Sequence, residues 1–232
     1  MFSPELQSAA DKYFRSLEVS QRLIALHPRT AGGSGNHAAL APAVTLSVIA
    51  AFEGFVEEFL ATVLLLRGHG FAQVAKKITI NNPTVRLFAS KISAELPSIA
   101  TRVGDGFSLR VWNIPGVNGR PATETVSWDQ AVSRADGWME VRHCLTHGLA
   151  SGWRSEVWPG PIKNVSSTPA SSVLRAKPGG RHSIGLTGAI SCARLYFYGA
   201  RHIATLVAEE MGETIDWAKA PEYPLTKQSV PE

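Results

Sequence analysis

Apolar residues recur at three- and four-residue steps through four long stretches of this chain, the spacing that gathers them on one face of an α-helix. The first stretch, from about Pro4 to His27, carries Leu6, Tyr13, Phe14, Leu17, Leu23 and Ile24, with Ser3-Pro4 suited to a helix entrance and Pro28 closing it. Arg29 to Asn36 is glycine-rich and reads as a connector. The second helix, entered at Pro42 and running from about Ala43 to Arg67, places Val48, Phe52, Phe55, Phe59, Val63 and Leu66 on one face. Ile49, Val56 and Leu60 widen that apolar surface, so this helix is expected at the centre of a core, with Arg67-Gly68 as its stop.

Between Ala72 and Val103 two shorter helices are expected, divided by Asn81-Asn82-Pro83 and interrupted at Leu96-Pro97. Gly104 to Thr125, with several glycines, Pro115 and Pro121, reads as a long loop with a short hairpin around Phe107 to Trp112. Ser127-Trp128-Asp129-Gln130 then fits a capping box, in which serine and glutamine satisfy each other's backbone amides at a helix start. The helix it opens buries Trp128, Ala131, Val132, Ala135, Trp138 and Leu145, and Gly148 follows as its cap. A last long helix, about Leu186 to Met211, buries Ile190, Leu195, Phe197, Ile203 and Leu206 and stops at Gly212. The fold class expected is all-α: one domain over residues 1–232, an antiparallel bundle of about five helices with long loop or hairpin excursions. The tail from about residue 218, with Pro221, Pro224 and Pro231, is expected to be loosely held.

Composition changes this picture little: 232 residues, 44% hydrophobic and 18% charged, make an ordinary core-forming chain rather than a disordered one. The apolar run from Val44 to Leu66 is as long as a membrane span, but Glu53, Glu57 and Glu58 near its middle argue for a buried helix and no membrane. The two cysteines, Cys144 and Cys192, fall in helix interiors and no signal peptide opens the sequence, which fits a reduced, cytoplasmic setting.

Charge adds a direction. Net charge is +4, and the segment 151–182 holds Arg154, Lys163, Arg175, Lys177 and Arg181 against Glu156 alone, so five minus one accounts for the whole excess. That basic arm, a loop or hairpin, is a candidate RNA-binding surface, although loops are often simply polar. Trp153 and Trp158 within it can stack unpaired bases or pack the arm onto the bundle, and packing is the better reading.

The chemistry lies at the end of the capped helix, in Val141-Arg142-His143-Cys144-Leu145-Thr146-His147. His143 and His147, four apart, point the same way, and Arg142 reaches across with a long side chain. A guanidinium grips phosphate through parallel hydrogen bonds, and a histidine can take a proton from a ribose hydroxyl or give one to a leaving oxygen. RNA carries its own nucleophile, the 2′-hydroxyl, so such a set needs no metal or other cofactor. A zinc protease would need glutamate after the first histidine, where Cys144 stands. Alternatively, Arg142 and His147 merely complement the helix dipole. Arg201-His202 reads as a solvated edge, and Arg194 with Tyr198, four apart on the last helix, as a possible phosphate holder.

Arg142-His143-x-x-x-His147 resembles the signature of the HEPN family of metal-independent RNA-cleaving domains, an arginine followed by four to six residues and a histidine, with a polar residue directly after the arginine. Ala51-Phe52-Glu53-Gly54-Phe55 is similar to the aromatic-glutamate segment of the subgroup found in bacterial toxin and defence systems. Many members carry asparagine or aspartate where His143 stands. The likeness extends over the order of elements from about Leu40 to Met211. It implies a toxin- or phage-defence-type endoribonuclease working as a homodimer, with two motifs facing across one cleft and cutting RNA to a cyclic phosphate. Arg142 and His147 would be catalytic with His143 supporting or joining them, Glu53 and Thr146 would assist, and an antitoxin or regulatory protein would be a partner. The alternative is a catalytically silent HEPN-like module that binds RNA, a nucleotide or a partner protein.

Overall fold

A computed structural model describes residues 5–27, 39–113, 122–147 and 184–225. Along these the chain forms α1 (Leu6–Leu26), α2 (Leu40–Leu66), α3 (Phe71–Ile78), α4 (Val85–Glu95), α5 (Pro97–Ala100), strands β1 (Leu109–Asn113) and β2 (Ala122–Val126), α6 (Trp128–His147) and α7 (Leu186–Met211), followed by a 3₁₀ turn at Trp217–Lys219. Among the described residues the fold is all-α apart from one two-stranded antiparallel sheet, in which Leu109 pairs with Val126 and Asn113 with Ala122.

The centre is α2, as its apolar pattern predicts. It packs against α1, α3, α4, α6 and α7, and Val48, Ile49, Phe52, Phe55, Val56, Phe59, Leu60 and Val63 are all buried. It begins three residues earlier than expected, because Pro42 sits in the first turn, where helix amides have no intrahelical partner and a missing N–H costs nothing. It ends as predicted: Gly68 takes a left-handed φ of 82°, and the amides of Gly68 and His69 bond back to Leu65 and Leu64. Among the described residues no helix is long and apolar enough to cross a membrane.

Aromatic rings fill the space around α2. Phe52 meets Tyr196 of α7 edge-on at 5.0 Å and Phe88 of α4 at 6.2 Å, while Tyr13 of α1 stacks on Phe55 at 4.4 Å. Phe88 thus locks α4 to the same layer. At the start of α4, a Cβ added to Gly199 of α7 would stand 2.8 Å from Cγ1 of Val85, so only glycine lets the two helices approach this closely.

Side chains link α3 to the end of α4, and the turn between the two helices closes on a cap. Glu95 accepts bonds from Lys77 of α3 and lies 3.3 Å from His69 in the turn after α2, and the Lys77 bond holds its carboxyl below the usual range. Ile80 and Pro83 are buried, and Thr84 caps α4 by accepting from the Leu87 amide at 3.2 Å.

Two expectations need correction. The hairpin does not lie around Phe107 to Trp112 but spans Leu109 to Val126, because Thr123 to Val126, rich in β-branched residues, supply the second strand. The outward-facing groups of β1 are met by α7: the Trp112 amide donates to Ser191 Oγ at 3.0 Å, and Arg194 Nε donates to the Arg110 carbonyl at 2.7 Å. The tail, expected loose from residue 218, is packed as far as Leu225. Tyr223 is 1% exposed, its hydroxyl bonds to Ser20 Oγ at 2.6 Å, and Trp217 packs on Phe14 and Phe197. Two large aromatics outweigh the proline content there. Residues 226–232 lie outside the described residues, as does the arm 151–182.

Candidate active site

Glutamine's half of the expected capping box starts α6: the Ser127 amide donates to Gln130 Oε1 at 3.0 Å. Trp128, Ala131, Val132, Ala135 and Trp138 then bury one face, and Tyr196 donates its hydroxyl to the Ala135 carbonyl at 2.9 Å inside the core. These contacts fix the helix in rotation. In its last turns Val141 and Cys144 therefore point inward, Arg142 and His143 occupy a partly exposed flank, and Thr146 and His147 reach solvent. Cys144 and Cys192 are both buried thiols, as their helix-interior positions predict.

The flank of α6 that carries Arg142 faces Glu53 of α2, 89 positions away in sequence. Arg142 Nη2 donates to Glu53 Oε2 at 3.3 Å, with the two side chains 20% and 22% exposed. Arg142 Nη1 donates to Asn82 Oδ1 at 2.9 Å. The other carboxylate oxygen, Glu53 Oε1, is buried with no hydrogen-bond partner among the described residues. An arginine carries a fork of five N–H donors, so after these two bonds the remainder can meet a further anion.

In the same turns of α6 the His143 and His147 rings lie nearly parallel, 21° apart in plane with centroids 6.0 Å apart. Burial pushes the His143 pKa below its ordinary value. The charges on Arg142 and His147 push it the same way, while Glu140 and Glu53 oppose. These influences together favour the neutral imidazole of His143, the form that can accept a proton. His147, at the helix end, is the exposed member of the pair.

The structure thus ties Arg142 to Glu53, pairs His143 with His147 on the same end of α6, and leaves Thr146 exposed there. Asn82 was not foreseen as part of this cluster; its sequence signal, Asn-Pro ahead of a helix, marks a turn and nothing more. Arg154, Lys163, Arg175, Lys177, Arg181, Trp153, Trp158 and Gly148 lie outside the described residues. Among the described residues no group of three or more His, Cys, Asp or Glu could hold a metal ion.

Two other expectations are modified. Arg194 is engaged in structure, donating to the Arg110 and Tyr223 carbonyls and standing 4.7 Å over the Tyr198 ring. Of the pair expected on a solvated edge, Arg201 is exposed, whereas His202 is half-buried: its ring bonds to the Val103 carbonyl at 2.9 Å and packs on Phe107 and Trp128. Two open clefts, one of about 560 Å³ beside α1 and Lys219 and one of about 500 Å³ around Trp217, contain none of the motif residues. No protein-family model, no curated protein and no solved structure matches the chain.

Proposed function

We propose that this protein is a metal-independent endoribonuclease in which Arg142 holds the scissile phosphate and His147, with neutral His143 beside it, moves protons. The observation that carries this reading is the guanidinium of Arg142, held by Glu53 and Asn82 on the helix end that also carries the paired imidazoles of His143 and exposed His147. One imidazole removes the 2′-hydroxyl proton as that oxygen attacks phosphorus. The other delivers a proton to the departing 5′-oxygen, and the product retains a 2′,3′-cyclic phosphate. Arginine's remaining donors stabilise charge on the non-bridging oxygens.

In this reading the active form is a homodimer that brings two such helix ends together, as the HEPN resemblance implies. Arg154, Lys163, Arg175, Lys177 and Arg181 track the RNA backbone. An antitoxin or regulatory partner then restrains the activity. The test is cleavage of messenger or structured RNA by the purified protein in excess chelator. His147→Ala is expected to lower the rate by at least about 100-fold while the unfolding midpoint stays within experimental spread, because His147 is exposed. Undiminished cleavage by that variant overturns the assignment.

One observation favours a second reading, a silent RNA-binding module: the Glu53 carboxylate already partly neutralises the guanidinium that must attract phosphate. That reading predicts salt-sensitive RNA binding with no product and no dependence on His147.

A further inference from the structure

We propose that Asn82 is a positioning residue for Arg142, fixing the plane of its guanidinium without reducing its charge. This rests on the ribonuclease reading for its purpose, though not for its geometry. Arg142 is held at two different nitrogens by two different elements, Nη2 by Glu53 of α2 and Nη1 by Asn82 of the turn ahead of α4. One acceptor leaves a guanidinium free to swivel about the bond; two acceptors on separate nitrogens define its plane and so aim its remaining donors. Arginine only donates, so the amide of Asn82 must present its oxygen, and the direction of this bond is unambiguous.

The turn is constructed to deliver that oxygen. Asn82 is the one non-glycine residue with a left-handed backbone among those described, at φ 52°. Asparagine tolerates this conformation better than other side-chain-bearing residues. Buried Ile80 and Pro83 flank it, and Thr84 caps α4 directly afterwards, so the backbone at residue 82 has little freedom even though its side chain lies at the surface. The chemistry of the side chain matters as much. Glu53 already places one negative charge on the guanidinium, and a second carboxylate at residue 82 would compete with a phosphate. A neutral amide supplies direction and leaves the cation available.

Two substitutions that both accept the left-handed backbone separate these roles. Asn82→Gly deletes the acceptor and suits the turn, so it folds with an unchanged or raised unfolding midpoint. Asn82→Asp keeps an acceptor and adds charge. The first readout is the side-chain ¹⁵N spectrum of Arg142: wild type and Asn82→Asp show slowly exchanging, distinct guanidinium N–H signals, and Asn82→Gly shows them averaged. In RNA cleavage, Asn82→Gly lowers kcat by about tenfold or more with KM little changed. Asn82→Asp raises KM and lowers kcat less. Identical Arg142 spectra in wild type and Asn82→Gly, or equal averaging in both variants, overturn the proposal. A wild type that cuts no RNA defeats the ribonuclease reading alone, because the Arg142 spectra still decide the anchor.

Discussion

A guanidinium tied to a carboxylate and an amide keeps its charge in one place, and the imidazole next to it in sequence feels that charge. His143 is lowered first by burial and second by Arg142. By NMR titration His143 should ionise below its ordinary value of about 6.5, and Arg142→Ala should raise that value without restoring it, since burial persists. Titration at or above the ordinary value in wild type contradicts the geometry. The same shift sets a sign for stability. With the folded pKa lowered, the unfolded chain binds more protons from about pH 6.5 down through the folded value. Stability is therefore full above that window and is lost as pH falls through it. His202, lowered chiefly by burial, acts in the same direction. At this scale the sequence made Arg142, His143 and His147 legible because they are neighbours on one helix. Glu53 entered only through the family resemblance. Asn82 was illegible, because its bond to Arg142 joins positions 60 apart and depends on how α4 sits against α6.

The helices were legible wherever the apolar period ran long, as in α2, α6 and α7. The hairpin was half legible: Leu109 to Asn113 shows β-branched and aromatic residues, but its partner strand directly follows Pro121 and a glycine-rich stretch that reads as loop. Gly199 carries no signal in the helical pattern, yet it sets the spacing of α4 on α7. Gly199→Ala gains helix propensity worth about 1 kcal/mol but forces a methyl onto Val85, which is stiff at χ1 and cannot turn away. Overpacking of this kind costs about 1–3 kcal/mol, so a net loss is expected in chemical denaturation. Adding Val85→Ala to Gly199→Ala should recover part of it, a non-additivity that marks direct contact. Additive losses would show that the two residues do not limit the approach.

Across the whole molecule, the chain past α7 returns to close the bundle over α1. Tyr223 is buried against Phe197 and bonded to Ser20, and the Tyr223 carbonyl accepts from Arg194, so one tail residue joins α1 to α7. Tyr223→Ala should cost about 3–5 kcal/mol and Tyr223→Phe about 1 kcal/mol, read as denaturant midpoints. A loss within about 0.5 kcal/mol for the alanine variant would mean that the tail is dispensable. Proline spacing concealed this packing in the sequence, although Trp217 and Tyr223 were the signal available. The charge excess in the arm 151–182 and the motif at the end of α6 together motivate the central claim, attack by an RNA 2′-hydroxyl under Arg142 and His147. Its most direct test is one strand sequence made as RNA and as DNA, each incubated with the protein in excess chelator and the products analysed by mass spectrometry. The account predicts that RNA alone is cut and that the new ends carry 2′,3′-cyclic phosphate; cleavage of the DNA, or RNA ends bearing 5′-phosphate and 3′-hydroxyl, would contradict it.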